Sequence, residues 1–226
     1  MGTKIKEAKT FEEAIETIVE IVSSNVEYKS DDIHDKDESA FFLRMRKEAN
    51  EREEEQKKKL EKAIASRDNK EVNEVFIKDF RTHLEWLFNY ISIGIASIKK
   101  SWKESGEERD SIEGLIMFTA LLARKAMQTF NIITFKNLQL NLTAERMISI
   151  YRKKNADYGN SFDQSLDEDG LLVAKIRIGD KVRRFLSLTK EGVEVQVKEE
   201  SISDTLLDLA NYCVMTIVYM NNHTIK

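Results

Sequence analysis

The chain has 226 residues, 34% of them charged, with 8 glycines, no proline and a formal net charge of −4. That length supports a substantial core, and a proline-free composition dominated by Glu, Lys, Leu, Ala and Ile points to an all-α fold. The charge excludes bulk attraction to nucleic acid or to an anionic membrane, and a single cysteine excludes an internal disulfide framework; three scattered histidines, His34, His83 and His223, offer no His-based zinc site.

The first residues, Met1 to Glu7, carry no apolar signal core, so a cytoplasmic location is expected. A helix is expected from about Thr10, as N-cap, to Ser24, with Phe11, Ile15, Ile18, Val19 and Val22 on its apolar face. A polar loop around Ser30 comes next, and from Glu38 to about Ser66 the chain reads as a long, heavily charged helix. Its ion pairs suit a solvated surface or a contact in a homo-oligomer. A further helix is expected from Glu71 to Lys103, where Val75, Phe76, Phe80, Leu84, Leu87, Phe88, Ile91 and Ile95 are core material rather than a stacking platform for bases.

The polar stretch Lys103 to Ser111, with Gly106 inside it and Ser111 placed to cap the next helix, divides the chain into a helical region, 1–105, and a second unit, 106–226. Four helices are expected there, over Ile112 to Phe130, Thr143 to Asp157, Gly170 to Leu188 and Glu199 to about Asn221, enough for a C-terminal four-helix-bundle-like domain behind a long helical N-terminal extension. Thr143 reads as an N-cap, and Gly159 sits where a helix would end on a residue at positive φ. The alternating segment around Val193 to Val197 reads as a short strand or extended connection. Neither of the apolar runs, Leu84 to Ile98 and Leu115 to Phe135, suits a membrane span: the first is too short and the second contains Arg124 and Lys125.

Two stripes of charge stand out. In the last helix Glu200, Asp204 and Asp208 recur at every fourth residue, on one face with Asn211 beside them, while Ile202, Leu206, Leu209, Ala210 and Cys213 occupy the opposite arc. Like charges at that spacing cost about 0.2–0.5 kcal/mol per pair even on an exposed helix, so the stripe calls for a cation. One helix earlier, Arg177, Lys181 and Arg184 share a face away from Ile178, Val182, Phe185 and Leu186. The two stripes suit either interhelical salt bridges or a phosphate site. In the latter, Mg²⁺ takes one or two of the carboxylates from Glu200, Asp204 and Asp208, and the basic side chains meet phosphate oxygens. No Walker A motif, GxGxxG fingerprint or nucleophile elbow occurs.

Three blocks sharpen this reading: Tyr151-Arg-Lys-Lys-Asn-Ala-Asp157-Tyr158-Gly159-Asn160-Ser161-Phe162, then Ile176-Arg177-Ile178-Gly-Asp180-Lys181-Val-Arg-Arg184-Phe-Leu-Ser-Leu188, then Glu200-Ser-Ile-Ser-Asp204-Thr-Leu-Leu-Asp208-Leu-Ala-Asn211-Tyr212. In this order, over about residues 140–222, they resemble the nucleotide modification associated domain 1 family (DUF1599), whose members occur largely in bacteriophages and their bacterial hosts. The resemblance implies a helical domain similar to the all-α nucleoside triphosphate pyrophosphohydrolases that include MazG and the dimeric dUTPases. It further implies Mg²⁺ on Glu200, Asp204 and Asp208 as catalytic carboxylates, and a nucleotide held by Lys154, Asp157, Tyr158, Arg177, Lys181, Arg184 and Asn211. The chain departs from the MazG pattern, because the paired EExxE and ExxD motifs are not both present. A literal Glu12-Glu13-x-x-Glu16 in the first helix reads as surface charge. The departure bears on hydrolysis more than on binding, which leaves a non-catalytic protein that sequesters a nucleotide signal as the alternative.

Overall fold

The computed structural model describes residues 2–23, 58, 69–101, 108–135, 140–190 and 202–223. Among them the chain is all-α, without a strand, in eight helices: α1 (Gly2–Glu7), α2 (Phe11–Ser23), α3 (Asn69–Ser101), α4 (Glu108–Phe135), α5 (Asn141–Tyr158), α6 (Ser161–Asp169), α7 (Leu172–Leu188) and α8 (Ile202–Asn222). The loop around Ser30, the charged helix expected over 38–66 apart from Lys58, the polar break at 103–107, the extended segment at 193–197 and Glu200 lie outside the described residues. Among those described, no helix is long and apolar enough to cross a membrane.

Four long helices close a ring: α3 packs on α4, α4 on α8, α8 on α7, and α7 back on α3. The expected bundle used the helix beginning near Thr143 as its fourth member; the ring uses α3 instead. The reason is the amount of apolar surface each helix must hide. Phe76, Phe80, Leu84, Leu87, Ile91 and Ile95 give α3 a buried stripe along most of its length, whereas α5 buries only Thr143, Ala144 and Met147. Helix α5 therefore lies outside the ring, against α2, α4 and α8. One continuous core runs through all of this, from Ile5 and Phe11 to Ile217 and Met220.

The α3–α7 side is tight. Phe80 meets Phe185 edge-on at 4.8 Å between ring centroids, and a Cβ on Gly179 would lie 2.7 Å from Cζ of Phe88, so only glycine fits there without moving that ring. Arg81 reaches from α3 to donate to the Leu186 carbonyl (2.7 Å) and to Thr189 Oγ1 (2.9 Å), which satisfies an orphan acceptor at the end of α7.

Of the three expected N-caps, one forms. Thr10 does cap α2: its Oγ1 accepts from the Glu13 amide at 3.2 Å while Glu13 Oε2 accepts from the Thr10 amide at 3.2 Å, the reciprocal pair of a capping box. Thr143 does not cap α5. It is buried inside the helix, its hydroxyl donating to Asn131 Oδ1 of α4 at 2.8 Å, and the position before the helix is Leu140, without a side-chain cap. A buried hydroxyl finds its partner across the helix interface, and that requirement outweighs capping. Ser111 likewise falls within the first turn of α4, which starts at Glu108.

The N-terminal helices are tied to the end of α8. Asn221 Nδ2 donates to the carbonyls of Ile5 and Ala8, both at 2.8 Å, and Asn222 Nδ2 donates to the Lys9 carbonyl at 2.7 Å. Lys9 bonds back to the Asn221 carbonyl, and Lys6 pairs with Glu113 of α4. The carbonyls left open by the end of α1 are thus closed by α8. Replacing Asn221 with alanine strands two of them, and we expect Asn221→Ala to lower unfolding free energy by about 1–3 kcal/mol in urea titrations.

Candidate functional site

Helix α8 is so apolar that its one half-buried carboxylate, Asp208, has to be compensated by its neighbours. Lys181 of α7 donates to Asp208 Oδ2 at 2.9 Å and Lys154 of α5 donates to Asp208 Oδ1 at 3.0 Å. Both oxygens are engaged, and the triad carries one positive charge in excess. Burial pushes the Asp208 carboxyl up, but the bonds from Lys181 and Lys154 outweigh it and hold the group below its ordinary value.

Beside this triad a pocket of about 120 Å³ opens between α5, α6 and α8. Lys154, Asp208 and Asn211 lie on its wall together with Tyr151, Tyr158, Phe162 and Tyr212, and Asn155, Asn160 and Ser161 add polar groups. Asn211 is only 7% exposed, and its Oδ1 is buried without a hydrogen-bond partner among the described residues.

The pocket owes its shape to the turn between α5 and α6. Gly159 ends α5 in the left-handed region at φ 59°, as its position in the sequence suggests, and Asn160 follows at φ 54°. Two left-handed residues in succession turn the chain within a few positions and bring both Tyr158 and Phe162 to the pocket wall. Asn155 Oδ1 accepts from the Asn160 amide at 3.1 Å, which holds this turn. Helix α6 is then fixed by Tyr219 of α8, whose hydroxyl donates to Asp167 at 2.9 Å; burial first, and then that carboxylate, push the tyrosine up to about 12.

Helix α2 supports the opposite wall. Phe11 stacks on Tyr151 with centroids 3.9 Å apart and planes 5° from parallel, and Glu12 accepts from Arg152 at 3.0 Å. The Glu12-Glu13-x-x-Glu16 motif is therefore occupied by a cap and an ion pair. Phe162 and Tyr212 meet at 5.4 Å, tilted by 53°.

Of the residues assigned from sequence, the structure gathers Lys154, Tyr158, Lys181, Asp208 and Asn211. Asp204 is exposed one turn before Asp208 and does not line the pocket; Glu200 lies outside the described residues. Asp157 and Arg177 are exposed and Arg184 is half-buried, all three away from the pocket wall. Cys213 is fully buried, and burial pushes its thiol far up, in keeping with its expected packing role. Sequence reading missed Tyr151, Phe162 and Tyr212 as wall residues. The signal was present in the Gly159-Asn160 pair, which marks a tight turn that brings its two flanks together.

The fold and the site define a helical-bundle protein with a small, partly aromatic pocket edged by a lysine–carboxylate–lysine triad. The family model for Nucleotide modification associated domain 1 (DUF1599) matches residues 154–220. That segment starts at Lys154 and ends in α8, so it contains the triad, the turn and Asn211, and leaves α1 to α4 outside. No curated protein and no solved structure matches the chain.

The depressed Asp208 carboxyl ties this site to stability. Because its folded value lies below its unfolded one, its contribution is present above the unfolded value and is lost as pH falls through the folded one. Asp208→Asn is expected to cost about 1–2 kcal/mol at pH 7, with the difference from wild type shrinking as pH drops below 4 in a series of urea titrations.

Proposed function

We propose that the protein binds a nucleotide, with its phosphates on Lys154 and Lys181 and its base in the pocket between α5, α6 and α8. The observation that carries this reading is the triad itself: two ammonium groups converge on one carboxylate at the pocket edge and retain an excess positive charge for an anion. The match of the nucleotide modification associated family to this same segment supports it. Arg177 and Arg184, on the same helix as Lys181, would extend the basic surface toward a longer phosphate chain. On this reading the protein works in the cytoplasm, as a phage or bacterial protein that forms homo-oligomers.

Mg²⁺-dependent pyrophosphohydrolysis of a nucleoside triphosphate is the second reading, favoured by the one-turn spacing of Asp204 and Asp208. Glu200, Asp204 and Asp208 would hold the ion, and its chemistry would be activation of a water for attack at the phosphate linkage. The described donors fit such an ion poorly. Both oxygens of Asp208 accept from lysines, so an ion there would have to displace Lys154 or Lys181. Sequestration of an intact nucleotide is accordingly the reading we prefer.

Calorimetry against a panel of nucleoside mono-, di- and triphosphates separates the two. We expect binding that survives chelator, at least tenfold weaker in Lys181→Glu, with the ligand recovered chemically intact after heat denaturation. Release of pyrophosphate with Mg²⁺, abolished in Asp204→Asn, would establish the enzyme instead. Unaltered binding in Lys181→Glu would remove the triad from phosphate recognition.

A further inference from the structure

Asn211 is not explained by phosphate binding. A carboxamide oxygen buried without a partner is destabilising, so a helix as apolar as α8 would be more stable with leucine at this position. It is one of the few polar residues on the buried side of α8, and it lies on the pocket wall, three residues beyond Asp208 on the same face.

We infer that Asn211 determines base specificity, its Oδ1 accepting a hydrogen bond from a ring or amino N–H of a nucleobase that enters the pocket beside Phe162 and Tyr212. The inference rests on the proposed nucleotide-binding role. Size decides which part of the ligand enters. At about 120 Å³ the pocket is small beside the about 300–1,000 Å³ of sites that enclose a whole drug-sized ligand, so only part of a nucleotide enters it. The phosphates then remain at the edge, where Lys154 is largely exposed and Lys181 is reached through Asp208. Tilted aromatic rings offer apolar faces that hold any base, so they do not select one. Of the polar groups on the wall, Asn211 Oδ1 is the one buried without a partner among the described residues, so selection falls to it. A site built around a hydrogen bond rejects a ligand that lacks the matching donor, because its own buried group is then left unpaired. The torsion that orients a carboxamide is broad, so a small rotation of Asn211 brings its oxygen to the ligand.

The test compares each tight-binding nucleotide with its N-methylated analogue, which lacks the N–H, and with the abasic ribose phosphate, on wild type, Asn211→Leu and Lys181→Glu. We expect wild type to prefer the N–H-bearing base over both comparators by at least tenfold. In Asn211→Leu that preference should vanish, with abasic binding unchanged and the melting temperature equal to or above that of wild type. Lys181→Glu should weaken all three ligands by a similar factor and keep the preference. A preference that persists in Asn211→Leu, or wild-type binding indifferent to N-methylation, overturns the role of Asn211 while leaving phosphate recognition in place. Loss of all binding together with a lowered melting temperature assigns Asn211 to the scaffold and overturns it too. Absence of nucleotide binding by wild type removes the proposed function and this inference together.

Discussion

A half-buried negative charge on an apolar helix sets the terms for the rest of the molecule. Helix α8 packs against α4 and α7 and also touches α1, α2 and α5, so more than half of its residues are buried. Asp208 sits half-buried among them, and a carboxylate there is tolerated only if cations reach it. One comes from α7, within the four-helix ring, and the other from α5, outside it. The same compensation therefore fixes the placement of two helices and assembles a charged edge beside a pocket. Structural necessity and a net positive charge at the pocket edge arise from one arrangement of three side chains.

The helices before α5 contribute more than bulk. Helix α3 supplies the fourth side of the ring, and its approach to α7 across Gly179 positions the helix that carries Lys181. Helix α2 backs the pocket directly, since Phe11 stacks on the wall residue Tyr151. The segment matched by the family model holds the polar groups of the site, while residues outside it hold one of its walls. The shape of the pocket is thereby sensitive to sequence far from the matched region.

Much of this architecture is legible in the chain itself. The missing proline and the spacing of apolar residues give the helices, the Thr10 cap and the Gly159 terminus, because each depends on local backbone chemistry. Lys181 and Asp208 are legible as members of opposed stripes whose charges need partners. What periodicity does not reveal is which helices neighbour one another. Lys154 and Arg177 look alike as basic side chains near the end or start of a helix, yet only Lys154 reaches Asp208. Thr143 has the composition of a cap and is drawn inward by Asn131, a partner twelve residues away that belongs to another helix. The pocket depends on long-range packing in the same way, since Tyr151, Phe162 and Tyr212 come from three helices and read individually as ordinary core aromatics.

The closure of α1 and α2 by Asn221 has a consequence for how the protein is made. The bonds from Asn221 to Ala8 and Ile5 span 213 and 216 positions of sequence. At about 5–20 residues per second on the ribosome, the first two helices wait on the order of 10–40 s for the side chain that closes them. During that interval Phe11, Ile15 and Ile18 have neither α5 nor α8 to cover them, while α3 and α4 emerge in succession and can pair at once. The apolar face of α2 can therefore be covered in part by α4, but its cover by α5 and α8 is completed only when the last helix emerges.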